Sequence, residues 1–192
     1  MHFTKSDLEG AFVIEPEELG DERGFFARVW DQNEFRKNTL ETRVAQCSIS
    51  YNKEKGTLRG LHYQVAPYEE VKIVRVTRGS VYDVIVDLRS YSPTYMKWIA
   101  MVLSAENRKM LYVPKGVAHG FQTLEDNTEI SYQISEFYSP EHSRGIRWND
   151  PQFSVKWPDG KQIMSDRDGN CPDYHPIRVG AVRGYAEIRR HV

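Results

Sequence analysis

The 192-residue sequence predicts an all-β fold, an antiparallel sandwich or jelly roll with a few short helices. Two patterns lead there. Apolar residues alternate with the period of two that a half-buried strand needs, and turn signals separate the runs at short spacing. A third observation bounds the core: 40% of the residues are hydrophobic, with 11 Tyr, 8 Phe and 4 Trp, enough to enclose a sizeable interior and to exclude disorder. The length suits one large domain over residues 1–176, with a C-terminal arm or tail at 177–192.

Along the chain, Asp31–Asn38 is the stretch that reads as a helix, because Asp31 and Glu34 stand as in a capping box. Thr57–Gln64 then sets Leu58, Gly60, His62 and Gln64 on one side of a strand. In Val71–Arg78, Lys72, Val74 and Val76 point together. Ser80–Leu88 places Tyr82, Val84, Val86 and Leu88 on one face and Val81, Asp83, Ile85 and Asp87 on the other. Further on, Val117, His119 and Phe121 align, as do Ile130, Tyr132 and Ile134. The breaks fall at Lys55-Gly56, Arg78-Gly79, Ser92-Pro93, Pro114-Lys115-Gly116 and Asp126-Asn127. From Asp166 the composition shifts to charge, Gly and Pro, and Arg178–Val192 is either a docked arm or a loose tail.

Lys+Arg is 26 against 27 Asp+Glu, a net charge of −1 that argues against a nucleic-acid binder but leaves room for a small basic pocket. The opening MHFTKSDLEG is polar and does not read as a signal peptide, and no apolar run approaches the roughly 20 residues of a membrane span. Cys47 and Cys171 form no spaced metal pair and no disulfide framework, so a soluble protein of a reducing compartment, by default the cytoplasm, is expected.

If the alternating faces line a barrel, His62, Lys72, His119 and Tyr132 all project inward among apolar neighbours. Each alone has an ordinary explanation: a hydrogen-bonded core residue for the histidines and Tyr132, a snorkelling side chain at a strand end for Lys72. Four titratable groups converging in one apolar interior point instead to a binding or catalytic site. Pro114-Lys115-Gly116-Val117-Ala118-His119 resembles the second motif of the cupin superfamily, P-x-G-x-x-H. The first motif is built around H-x-H, and its counterpart His62-Tyr63-Gln64 lacks the second His. A cupin without a metal site is therefore expected, and a metal-dependent dioxygenase disfavoured.

Six further segments carry a more specific resemblance: Asp21-Glu22-Arg23-Gly24-Phe25-Phe26, Gly56–Gln64, Val74–Gly79, Tyr82–Arg89, Leu103–Asn107 and Gly145–Pro151. In order and spacing they are similar to the dTDP-4-dehydrorhamnose 3,5-epimerases, a likeness running from about Gly10 to Asp168. The resemblance implies a jelly-roll homodimer that needs no metal or redox cofactor and inverts carbons beside the ketone of a nucleotide-linked 4-keto-6-deoxyhexose. It implies His62 as general base, Asp168 as the support of its imidazole, Lys72 facing the C4 oxygen, and Tyr132 returning a proton from the opposite face. Arg59 and Arg23 would bind the diphosphate, Arg23 by reaching into the partner's site; His119 and Gln46 would line the sugar pocket, with Tyr138 nearby and Phe26 among the substrate contacts. These residue types suit the reaction. A proton beside a ketone is weakly acidic, a fixed cation stabilises the enolate that its loss creates, and His has an ordinary pKa near working pH. Tyr132 is suited as the acid if a nearby cation lowers its pKa.

Some positions depart from the family pattern. Arg28 stands where the family has a Glu that accepts from thymine; an Arg only donates, which suits a CDP-sugar. The alternative is that Arg28 turns to solvent or phosphate. Gln46-Cys47-Ser48 replaces Q-D-N, so Ser48 takes the place of a sugar-facing Asn, and Glu69-Glu70 replaces A-Q just before Lys72. That acidic pair either meets Lys72 or Arg59 or is simply solvated. The leading expectation is thus an NDP-4-keto-6-deoxyhexose epimerase acting at C3, C5 or both, for deoxysugar synthesis in a surface polysaccharide such as O-antigen or in a glycoside. A CDP-linked mono-epimerase, a ketoisomerase and a non-catalytic sugar-nucleotide-binding cupin are the competing readings.

Overall fold

The computed structural model describes residues 1–176; the arm expected at 177–192 lies outside the described residues. In chain order the elements are β1 (His2–Lys5), β2 (Phe12–Glu15), β3 (Glu18–Asp21), β4 (Gly24–Ala27), α1 (Gln32–Lys37), β5 (Gln46–Asn52), β6 (Leu58–Gln64), β7 (Lys72–Arg78) and β8 (Ser80–Asp87). They continue with β9 (Trp98–Ser104), β10 (Met110–Val113), β11 (Val117–Thr123), β12 (Thr128–Ile134), β13 (Ser143–Gly145) and α2 (Asp166–Gly169). A six-stranded sheet of order β1-β2-β10-β7-β12-β5 faces a five-stranded sheet of order β13-β6-β11-β8-β9, and β3 and β4 pair as a separate hairpin. Every pairing between these strands is antiparallel. This is the jelly roll that the alternation predicts. No helix among the described residues is long and apolar enough to cross a membrane.

The central strands are covered on both faces, and the sequence of β8 shows why. Val81 and Ile85 point between the sheets, where they pack with Val74, Val76, Leu103, Leu111, Val113, Val117, Phe121 and Ile130. Val84 and Val86 point the other way, under Ile146, Phe153 and Tyr174 of the C-terminal segment. A strand with apolar residues at both parities is what a sheet covered on two sides requires. The outer face of the six-stranded sheet is closed by Phe35 of α1 over Ile14, Ile73, Met110 and Tyr112. Asp31 caps α1 by accepting from the Asn33 and Glu34 amides, as its sequence foretells. The reciprocal half of the capping box is not made: the Glu34 carboxylate accepts from the Met1 amino group instead, at 2.9 Å. Gly56, Gly79, Gly116 and Asn127 all sit in left-handed turns, with φ of 84°, 73°, 72° and 54°.

Strand β6 departs from simple alternation. Its pairing with β11 runs Leu58–Gln122 and Arg59–Phe121, then shifts by one residue before His62–His119. The bulge inserts an extra residue, so the side chains on either side of it keep the same face although their numbers differ in parity. Arg59 and His62 therefore both share the inward face of Phe121 and His119, which corrects the expectation that Leu58, Gly60 and His62 line up together. Glycine makes the bulge feasible. Gly60 has φ of 121°, and a Cβ there would stand 2.5 Å from the Gly120 Cα.

Candidate active site

The β6–β11 register, with β7, β12 and α2, brings six of the expected residues together, Arg59 among them although it is exposed. His62 comes from β6 and His119 from the facing position of β11; Arg59 follows through the bulge. Lys72 opens β7 on the same side as Val74 and Val76. Tyr132, on β12, packs against that core with its ring edge-on to His119, centroids 6.2 Å apart. Asp168 arrives from α2, whose N-cap Ser165 accepts from the Asp168 amide.

His62 Nε2 lies 2.7 Å from Asp168 Oδ1. Burial opposes ionisation of this carboxyl, but the hydrogen bond and charge of His62, aided by Ser165 and Arg167, outweigh it and hold Asp168 below its ordinary 3.8. Asp168 is thus an anion at neutral pH and can only accept, so Nε2 carries the proton. That leaves the Nδ1 lone pair of neutral His62 free to act as a base, and the imidazolium formed by protonation would rest against a carboxylate.

Burial pushes the Tyr132 phenol far above its ordinary 10.0, Asp83 adds to the rise, and Arg59 opposes it. This corrects the expectation of a phenol acidified by a neighbouring cation: desolvation outweighs Arg59. Tyr132 is consequently a fully protonated donor at neutral pH. Lys72 does not snorkel to solvent. Its Nζ lies 2.9 Å from Glu70 Oε1, with both side chains largely buried, and donates to the His62 carbonyl at 3.4 Å.

The remaining expected residues fall into two groups. Gln46 accepts from the Tyr138 amide at 2.8 Å, and Ser48 is the cross-strand partner of Tyr132, which puts it on the same face of the sheet. Arg23, Phe26 and Arg28 are exposed, and the described side-chain partners of the two arginines lie on their own segment. The Arg23 side chain is 89% exposed at the β3–β4 turn and is held by Asp21; Phe26 is 65% exposed on β4. Arg28 is 57% exposed, and its described partner is Asp31 at 3.7 Å.

Two contacts escaped the sequence reading. Asp83, fully buried, lies 2.9 Å from His119 Nε2, making a second His–carboxylate pair. Its signal was present, an acid on the same face as Val81 and Ile85. Asn52 accepts from Arg59 Nε at 2.8 Å and fixes the guanidinium; nothing in the sequence marks it. Among the described residues no group of three or more His, Cys, Asp or Glu side chains is placed to share a metal ion.

The family model of dTDP-4-dehydrorhamnose 3,5-epimerase matches residues 5–175. The chain belongs to this family. A dTDP-4-dehydrorhamnose 3,5-epimerase of Sinorhizobium fredii is 42% identical over 180 residues, covering 93% of this chain and 92% of that protein. The crystal structure of the Bacillus anthracis dTDP-4-dehydrorhamnose 3,5-epimerase with TDP and PPi bound is 39% identical, with a TM-score of 0.87 over 90% of this chain and 99% of that one. The Legionella pneumophila dTDP-6-deoxy-D-glucose-3,5-epimerase, in complex with dTDP-4-keto-L-rhamnose, is 36% identical, with a TM-score of 0.84 over 90% and 92%. As an epimerase-family member the chain is an isomerase-class enzyme on a cupin-type jelly roll.

Proposed function

We propose that the chain inverts carbons 3 and 5 of a dTDP-linked 4-keto-6-deoxyhexose, and that His62, Lys72, Tyr132 and Asp168 carry the chemistry. The observation behind this reading is the His62–Asp168 pair at 2.7 Å, in one interior with a cation and a protonated phenol. His62 Nδ1 takes the proton from a carbon beside the ketone. The electron pair moves into the ring as an enolate, and the Lys72 ammonium meets the negative charge that builds on O4. Tyr132 then gives its proton to the opposite face of the same carbon, completing the inversion. Arg59, anchored by Asn52, holds the diphosphate, while His119, Gln46, Ser48 and Tyr138 border the sugar.

Two observations favour the thymidine over the cytidine nucleotide: relatives solved with TDP and with a dTDP-sugar, and the pairing of Arg28 with Asp31. Incubation with dTDP- and CDP-4-keto-6-deoxyglucose in D2O, read by NMR and mass spectrometry, is expected to place deuterium at both C3 and C5 of the dTDP-sugar. Label at one carbon means a mono-epimerase, and none from either substrate means a different sugar nucleotide or a fold kept for binding. In Tyr132→Phe, His62 still abstracts and can return the proton to its own face, so label enters while inverted product falls by about 10²-fold or more.

A homodimer completes the site in this reading. The β3–β4 hairpin exposes Leu19, Phe25 and Phe26 beside Arg23, an apolar protrusion with a cation at its tip. Its docking on a second copy would carry Arg23 and Phe26 to that copy's nucleotide. Sedimentation at micromolar concentration is expected to give twice the chain mass; a stable monomer would exclude this role. The setting proposed is the cytoplasm, in keeping with Cys47 and Cys171 both being free.

A further inference from the structure

The Glu70–Lys72 pair is enclosed, with side chains 11% and 12% exposed, and its ammonium is tied to two groups at once. A lysine ammonium has three N–H donors and no acceptor. The ammonium is ion-paired with Glu70 Oε1 at 2.9 Å and donates to the His62 carbonyl at 3.4 Å, so it is held from two sides with donors left for the pocket. The two anchors are unequal. The ion pair is short and joins opposite charges, whereas the carbonyl contact is near the limit of a hydrogen bond. Glu70 stands two residues before Lys72, the spacing that brings two side chains to one face of an extended chain. Its neighbour Glu69 goes elsewhere, with Oε1 beside Gly116.

We propose that Glu70 is a positioning residue of the reaction, holding the Lys72 ammonium by their ion pair so that it stays directed at the ketone oxygen. The same contact pins the cation against the backbone of His62, the base, and so sets the distance between proton removal and charge stabilisation. This rests on the reading of Lys72 as the group facing O4. Position and charge act in opposite senses. The carboxylate weakens the field of Lys72 where negative charge develops, but without it a four-carbon side chain is free to rotate away, and reacting groups misplaced by an ångström lose rate steeply. A neutral acceptor of the same shape keeps the geometry and removes the opposing charge.

The test is turnover of the full-length enzyme with dTDP-4-keto-6-deoxyglucose, with circular dichroism confirming each variant's fold. Glu70→Ala is expected to lower kcat roughly 10- to 100-fold with KM within about twofold, and Glu70→Gln to restore kcat to within about threefold of the native enzyme. In a Lys72→Met background, Glu70→Ala is expected to cost nothing further, because its effect runs through Lys72. Native kcat in Glu70→Ala, an equal loss in Glu70→Gln, or an undiminished loss in the Lys72→Met background would each overturn the proposal. Native turnover of Lys72→Met alone would instead overturn the role of Lys72 itself, and that of Glu70 with it.

Discussion

His62→Asn is expected to slow deuterium incorporation at C3 and C5 by about 10²- to 10⁴-fold, the range that a general base contributes, with KM little changed. The carboxamide occupies similar space and can still donate to Asp168, so the buried carboxylate keeps a partner and the fold is retained. Only the lone pair that Nδ1 presents is lost. Circular dichroism and a nucleotide-binding titration separate this outcome from unfolding, since Arg59, the residue proposed to hold the diphosphate, is anchored independently by Asn52. Incorporation within tenfold of native would move the base elsewhere. His119 is the next candidate, facing His62 across the strand pair and oriented by Asp83.

Gly60→Ala is expected to lower stability by about 3 kcal/mol or more, from backbone strain at positive φ together with overpacking. An added methyl would meet the Gly120 Cα at 2.5 Å and the His119 carbonyl oxygen at 2.9 Å, both backbone groups of the neighbouring strand that no rotamer change can move. Against a typical domain stability of about 5–15 kcal/mol this is a large fraction, and equilibrium unfolding in urea measures it directly. Activity per folded molecule should fall as well, because relief of the clash separates β6 from β11 and displaces Arg59 and His62. An unchanged urea midpoint would show that the two strands are not in close contact at the bulge.

The central strands were legible because packing dictates them. β7, β8, β11 and β12 lie within sheets that bury apolar side chains, so their alternation is written in Val, Ile and Phe. The helix at Asp31 was legible from its cap, although the matching Glu34 found a different partner. β1, β2, β3, β4, β5, β9, β10 and β13 went unread: β1 to β4, β10 and β13 are three or four residues long, too short to show a period, β5 turns Ile49 and Tyr51 outward, and β9 is apolar without alternation. In the site, inward parity identified His62, Lys72, His119 and Tyr132. Arg59 has the wrong parity until the bulge is counted, and a one-residue shift in register leaves no mark on hydrophobic period. The acidification expected of Tyr132 failed for a related reason, since the depth of burial depends on residues distant in sequence that enclose the ring.

The depth of Tyr132 has a consequence for the direction of catalysis. A phenol that resists ionisation yields a conjugate anion of high proton affinity, and under the proposed roles each inversion leaves that anion on one side of the sugar and an imidazolium on the other. The enzyme is then loaded for the return journey: the tyrosinate can pull the new proton off while the imidazolium supplies the old one. Forward and reverse inversion become mirror-related traversals of one enolate, with acid and base exchanging duties. A second carbon can be processed only after the pair has been reset, by a proton passing from His62 to Tyr132 through solvent. Each epimerised centre should therefore carry a hydrogen from water, and substrate recovered near equilibrium should carry it too.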